Sequence, residues 1–255
     1  MSAAGNESPE KYPLCSLAPM LGTYRPPTGP FNPAGSWRQT YGVYTLASTR
    51  GPAARRVGEL VLSRRAQDAG QVELAVAYTK GLTGGTQKVT ATLHTRADEK
   101  LATPRRWSFA IELLDTQGRP VPHAGVERTH AECRRGVIRI GEGRGARSIP
   151  APGAYTVNWC LFDAVQRLGG KGAGPMEFLL IDHFDQPKPG QSLAYRGEMD
   201  IAVAGGKTVP TITYDQLGEG NVPWVYWVDR NGRLLLVVAG LEAYVLESSA
   251  PPAPA

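Results

Sequence analysis

Apolar and polar residues alternate along most of the chain. The clearest stretch is SLAYRGEMDIAV at residues 192–203, and QVELAVAYT at 71–79 and RWSFAIELLD at 106–115 follow the same period. Successive side chains of a β-strand point to opposite faces of the sheet, so this two-residue period predicts half-buried antiparallel strands. Glycine-rich turns separate these stretches, and Asn231-Gly232 is the strongest hairpin signal. We predict about ten to twelve strands in a meander, sandwich or barrel.

One segment, YTVNWCLFDAVQRLGG at residues 155–170, has a helical period instead. It predicts an amphipathic helix over about residues 156–168, with Thr156 or Asn158 as cap and Gly169 after its end. A lone helix within a meander must cover an apolar surface, and the concave face of a curved sheet offers one. The predicted fold is therefore mainly β, a curved sheet or half-barrel around one helix. The apolar stripe comprises Val157, Cys160, Leu161, Ala164, Val165 and Leu168.

The two ends of the chain differ in composition from the region between them. Residues 1–36 hold seven prolines and little periodicity, which predicts an extended, partly disordered arm. Residues 248–255, SSAPPAPA, are of low complexity and predict a disordered tail. Residues 37–247 then form a single β-rich half-barrel domain.

The last third of the chain cycles between strand and turn and contains the hairpin sequence WVDRNGRLL. With the meander and the inserted helix, it resembles the lipoprotein-carrier-like (LolA-like) half-barrel proteins, in an uncharacterised bacterial branch, over about residues 37–247. The resemblance implies a half-barrel fold. Proteins of this group range from carriers of acyl chains to a cofactor-free biosynthetic enzyme. It transfers no catalytic residue, and the fold alone does not choose a function. The matching positions are Trp227, Asp229, Gly232, Leu234 and Leu235.

Composition excludes several classes of protein. Three cysteines cannot all pair, and Cys160 falls in the apolar helix, so a buried thiol is the favoured interpretation. Four scattered histidines without Cys-x-x-Cys or His-Glu-x-x-His predict no metal site, and no cofactor motif is present. Arginine pairs are not interleaved with exposed aromatic residues, which argues against nucleic acid. They and the net charge of +5 leave peripheral contact with an anionic membrane surface as a minor alternative.

Localisation is predicted from what the sequence lacks. The longest apolar run, RLLLVVAGL, is far shorter than the roughly 18 residues of a membrane span. The first residues, MSAAGNESPEKYPLC, have neither a basic region nor an apolar core of a leader. As written, the sequence predicts a cytoplasmic protein without a transmembrane segment, or a periplasmic or exported one if a leader has been removed.

The stretch LLIDHFDQPKPG brings Asp182, His183 and Asp185 together at the end of an apolar run. If the strand continues through them, His183 and Asp185 share one face and Asp182 lies on the other, otherwise apolar face. Asp182 then needs a partner such as an arginine or a backbone N–H. Acid–base chemistry with His183 oriented by a carboxylate is one interpretation, and a structural ion pair at the strand end is the favoured one.

The sequence GNVPWVYWVD places large amphipathic rings on both faces of one strand, with Trp224 and Tyr226 on one side and Trp227 on the other. Such rings can line a pocket while offering an N–H or O–H at its rim. The competing interpretation is that Trp227 is core and Trp224 covers an edge. The candidate ligand-binding residues are Trp224, Tyr226, Trp227, Tyr214, Trp159 and Tyr195.

Three functions remain open. The first is a binding protein that holds an apolar or amphipathic small molecule or lipid in the concave cavity. The second is a cofactor-free enzyme in the same cavity, with His183, Asp182 or Asp185 as acid–base groups. The third is a non-catalytic envelope or partner-binding protein that uses a sheet edge. Periodicity, helix and aromatic residues favour the first, because each supports a cavity and none specifies a reaction.

Overall fold

The computed structural model describes residues 12–46, 54–172 and 174–251, without the side chains of residues 12–15 and 171. The helices are α1 (Tyr12–Leu21) and α2 (Asn158–Ala164). The strands are β1 (Trp37–Thr45), β2 (Arg55–Ala66), β3 (Gln71–Leu82), β4 (Gly85–Arg96), β5 (Arg106–Asp115), β6 (Val126–Arg134), β7 (Val137–Ile140), β8 (Arg147–Pro150), β9 (Tyr155–Val157), β10 (Met176–Asp182), β11 (Gln186–Val203), β12 (Lys207–Gly218), β13 (Trp224–Asp229), β14 (Leu234–Ala239) and β15 (Glu242–Ala250).

All fifteen strands belong to one curved, unclosed sheet. Its order is β8-β7-β6-β5-β4-β3-β2-β1-β15-β14-β13-β12-β11-β10-β9, so neighbours along the chain are neighbours in the sheet except at β1–β15 and at the break between β8 and β9. Every pairing is antiparallel except that of β9 with β10. The predicted meander around a helix is confirmed. The strand number was underestimated because β7, β8 and β9 are only three or four residues long.

Helix α2 lies on the inner face of the sheet and is buried all round. Each of its seven residues is buried, so the predicted single apolar stripe was too narrow. The predicted caps are also corrected: Val157 precedes the helix without a side-chain cap, and the Thr156 hydroxyl donates to the carbonyl oxygen of Leu101 at 2.8 Å. The α-helix ends at Ala164, and a 3₁₀ turn over Val165–Arg167 follows it directly. Gly169, which has left-handed backbone angles, lies just beyond this turn.

The buried acidic residue of α2, Asp163, belongs to an internal charge cluster. Asp163 forms ion pairs with Arg64 at 2.9 Å and with Arg167 at 2.9 Å, and the side chains of Arg64 and Asp163 are 0% and 3% exposed. Burial lowers the pKa of the Arg64 guanidinium, and the adjacent Asp163 carboxylate opposes that effect. Arg64 also donates to the carbonyl oxygens of Ala34 and Gly35. A buried charge is tolerated only when it is paired in this way, so the cluster ties β2, α2 and the N-terminal arm together.

The N-terminal arm packs against the sheet rather than running free over residues 12–36. A helix not foreseen from the sequence, α1, places Leu17 and Leu21 in a second core on the outer face. Further along the arm, Arg233 donates to the carbonyl oxygens of Pro27 and Gly29, at 3.0 and 3.1 Å. At the other terminus β15 extends through Ala250, three residues into the segment expected to be disordered.

Both cysteines whose side chains are described are free thiols. Cys160 is buried, and burial raises the pKa of its thiol. Cys133 is also a free thiol, while the side chain of Cys15 lies outside the described residues. Among the described helices, none has the length and apolar character needed to cross a bilayer.

Candidate functional site

A cavity opens at one end of the half-barrel. At this end, which we call the mouth, β3 turns into β4, β12 into β13 and β14 into β15. The cavity has a volume of about 520 Å³ and reaches down to the first residues of α2, Asn158 and Trp159. That volume lies in the range of small-molecule pockets, roughly 300–1,000 Å³.

Aromatic rings form one wall of the cavity. Trp224 on β13 stacks on Tyr244 of β15, with ring centroids 6.0 Å apart and planes inclined by 13°. Trp159 meets Tyr244 edge-on at 6.0 Å and lies 5.5 Å from Tyr78 of β3. Rings fixed against one another in this way present a rigid apolar surface that loses little conformational entropy when a ligand covers it.

A charged network borders this wall. The ammonium group of Lys80 forms an ion pair with Glu242, and the Tyr244 hydroxyl donates to the same carboxylate at 3.1 Å. Burial, with the nearby Glu242 charge, raises the pKa of both Tyr78 and Tyr244. Both phenols therefore stay neutral at ordinary pH and can hydrogen-bond a ligand, but they cannot serve there as phenolate bases.

Gly58 on β2 marks a close approach of β2 and β3 beside Lys80. It lies directly opposite Lys80 in the β2–β3 pairing. A Cβ atom at this position would collide with the carbonyl oxygen of Thr79. The glycine therefore permits close approach of the two backbones, and a side chain here would push the strands apart.

Asp182 stands at the opposite side of the mouth, at the end of β10. It pairs with Lys188 of β11 at 2.6 Å and accepts the backbone N–H of its neighbour His183 at 3.0 Å. Lys188 and the backbone N–H of His183 are thus the partners that Asp182 was predicted to need on an otherwise apolar face. The His183 ring is 60% exposed, with its Nε2 3.8 Å from Asp182, and both residues line the cavity.

The face assignment for residues 183–185 was wrong because the strand stops at Asp182. His183 and Phe184 adopt left-handed backbone angles, with φ of 48° and 71°, which end the two-residue alternation. Phe184 then turns inward and stacks on Phe109 at 5.1 Å. Asp185 pairs with Arg147 of β8 at 3.1 Å instead of with His183. The turn thus spans the gap between the sheet edges, and Asp185 lies outside the cavity lining.

Asn158 gives the floor of the cavity a polar atom without a partner. It is 4% exposed, and its Oδ1 has no hydrogen bond to any described residue. A buried acceptor left unpaired costs about 1–3 kcal/mol, which a ligand that donates to it would recover. The site therefore combines an aromatic wall, a charged rim and a buried acceptor.

Of the six aromatic candidates for ligand binding, only Trp224 and Trp159 line the cavity. Tyr226 is fully buried beneath Trp224 and donates to Gln216 at 2.8 Å. Trp227 faces outward, because alternation sends it to the outer core, where its Nε1 donates to the Met199 sulfur at 3.3 Å.

The other two aromatic candidates, Tyr214 and Tyr195, form an edge-to-face pair away from the cavity, with centroids 6.2 Å apart. The Tyr214 hydroxyl accepts the backbone N–H of Gly170 at 2.8 Å. It therefore anchors the segment after α2 to the sheet instead of meeting a ligand.

Sequence reasoning missed half of the aromatic wall and most of the rim. Tyr78 was visible as an inward-facing residue of QVELAVAYT, but alternation does not say how near the mouth an inward residue lies. Tyr244 and Glu242 become neighbours of Lys80 only because β15 returns to pair with β1. The pairing order of the sheet, rather than any motif, assembles the site.

Comparisons with known proteins bear on the fold. A crystal structure described as a beta-barrel-like protein of the domain of unknown function DUF1849, from Brucella abortus, matches 86% of this chain and 98% of its own, with 11% identity and a TM-score of 0.57. A DUF1089 family protein from Pseudomonas aeruginosa matches 78% of this chain and 96% of its own, with 20% identity and a TM-score of 0.41. No protein-family model and no curated protein matches the chain. The first similarity shows a shared β-barrel-like fold.

Proposed function

We propose that this protein binds an apolar or amphipathic small molecule, such as a lipid, in the mouth cavity. The observation that carries the proposal is the wall of Trp159, Trp224, Tyr78 and Tyr244, which faces a cavity of about 520 Å³. Apolar pockets with a few convergent polar groups are the usual form of small-molecule sites. The resemblance to half-barrel carriers of acyl chains supports the same class of ligand.

The polar groups narrow the chemistry of the ligand. Asn158 Oδ1 can accept a hydrogen bond at the buried end from a ligand donor such as a hydroxyl, amide or amine. Lys80 and Lys188 at the rim are each paired with a carboxylate, so the rim does not require a charged headgroup. The ligand that fits has an apolar body and a donor group that reaches α2.

Acid–base catalysis has weaker support from the same geometry. The Asp182 carboxylate is engaged by Lys188 at 2.6 Å, and its 3.8 Å separation from His183 Nε2 exceeds a hydrogen bond. Asp185, the other carboxylate candidate, is held by Arg147. We therefore favour binding over catalysis.

A neutral dye tests the proposal. N-phenyl-1-naphthylamine has two apolar aromatic groups, a naphthyl and a phenyl, and one N–H donor. We expect its fluorescence to rise on binding and the protein's tryptophan emission to be quenched. Trp224→Ala should raise the Kd about tenfold or more, since it removes from the wall a large aromatic side chain of the kind that carries most of the binding energy. Titration of the wild type and the variant by fluorescence gives both values.

Trp227→Phe is the matched control, because Trp227 lies on the opposite face of the same strand. It should leave the Kd unchanged. Equal Kd values for Trp224→Ala and the wild type would contradict the proposal. So would the absence of dye binding together with a bare mass in native mass spectrometry of protein purified without detergent.

A further inference from the structure

Exposed apolar side chains are concentrated at the mouth. Of the seven large apolar residues that are exposed among those described, six lie at or beside turns of this end. Leu241 and Val222, 65% and 52% exposed, also line the cavity. The seventh, Val137, follows the β6–β7 turn at the opposite end. The six are Leu82, Val121, Val126, Leu217, Val222 and Leu241.

This asymmetry is not an ordinary property of a protein surface. Single exposed apolar residues are common and need no explanation, but clustered ones mark surfaces that meet another apolar phase. The six residues come from four separate connections, β3–β4, β5–β6, β12–β13 and β14–β15. Since antiparallel strands send alternate connections to the same end, these residues project together.

Several charged side chains of the same end are paired with one another. Each of four ion pairs there sets one cation beside one anion, so no net charge is presented by these eight side chains. A polyanion or a strongly charged protein partner would gain little from these paired side chains, whereas a lipid interface of zero net charge suits them. The pairs are Lys80–Glu242, Lys188–Asp182, Arg119–Asp115 and Arg56–Glu247.

We propose that the mouth docks on the surface of a lipid bilayer, with Leu82, Val222 and Leu241 inserted among the lipids. The cavity would then open directly toward the acyl region, so that a lipid could pass between bilayer and cavity without crossing water. The proposal deepens the binding function and rests on it, since the bilayer is the source of the ligand. In this arrangement Leu241, which is exposed on the β14–β15 turn, contacts lipid instead of water.

Vesicle binding tests the docking. The wild-type protein should float with vesicles of pure phosphatidylcholine in a density gradient, at low and at high salt. The triple variant Leu82→Asp, Val222→Asp, Leu241→Asp should lose at least tenfold in partition coefficient, because each carboxylate must be dehydrated to enter the interface. Val137→Asp, which places a single carboxylate on a valine that is 43% exposed at the opposite end, should float like the wild type.

Two outcomes would overturn the docking proposal. One is an equal loss in Val137→Asp and in the triple variant. The other is binding only to vesicles that contain anionic phosphatidylglycerol, abolished by salt, since that would mean attraction by charge. Dye titration and native mass spectrometry in vesicle-free buffer separate the two proposals: dye binding without flotation refutes docking alone, and flotation with neither dye binding nor a bound mass refutes the cavity function alone. Circular dichroism of the triple variant confirms that it is folded before either comparison.

Discussion

Replacing Asp163 with alanine is expected to lower the free energy of unfolding by about 3–5 kcal/mol. The substitution removes the carboxylate that pairs with both Arg64 and Arg167, at 2.9 Å each. Arg64 is completely buried and cannot turn toward water when its partner is lost. An unpaired charge in the interior costs far more than the lost contact itself. Equilibrium unfolding in urea measures the change from the transition midpoint and slope.

Asp98→Ala is the control for this effect. Asp98 also forms an ion pair with an arginine, Arg96, at 3.0 Å, but its side chain is 68% exposed. An exposed pair of this kind contributes little to stability, because water replaces the lost partner. If Asp163→Ala cost no more than Asp98→Ala, the buried cluster would not stabilise α2 against β2.

The architecture followed from the sequence because it depends on local periodicity. The two-residue alternation identified the strands, and it placed Trp224 and Trp227 on opposite faces, as the structure does. The helical period of residues 155–170 identified α2. Both signals come from residues close together in the chain, where the geometry of a strand or a helix fixes which side chains share a face.

The site could not be predicted from the sequence, because it depends on contacts between residues that are distant along the chain. Lys80 and Glu242 are 162 positions apart and meet only through the β1–β15 pairing. The turn at His183 and Phe184 has neither glycine nor asparagine to announce its left-handed backbone. The alternation in β13 also did not predict which of its faces α1 covers. Helix α1 itself was not predicted, because it carries two prolines and no clear amphipathic period.

Replacing Phe162 with alanine is also expected to cost about 3–5 kcal/mol of unfolding free energy. Phe162 is completely buried at the centre of an aromatic cluster. The void left behind would lie among rings that neighbouring backbone holds in place, so it could collapse only partly. Chemical denaturation measures the change, and Phe162→Leu, which keeps much of the volume, should cost less than about 1.5 kcal/mol. The five rings that contact Phe162 are Tyr41, Trp159, Trp224, Tyr226 and Tyr244.

Phe162→Ala and Asp163→Ala should differ in ligand binding although their costs in stability are similar. Phe162 supports three rings of the cavity wall, Trp159, Trp224 and Tyr244, and their relaxation into the void should weaken dye binding. Asp163 instead faces the charge cluster and is not part of the lining. At temperatures where both variants are folded, the dye Kd should therefore rise for Phe162→Ala and stay near the wild-type value for Asp163→Ala. A parallel rise in both would mean that binding follows global stability rather than the shape of the wall.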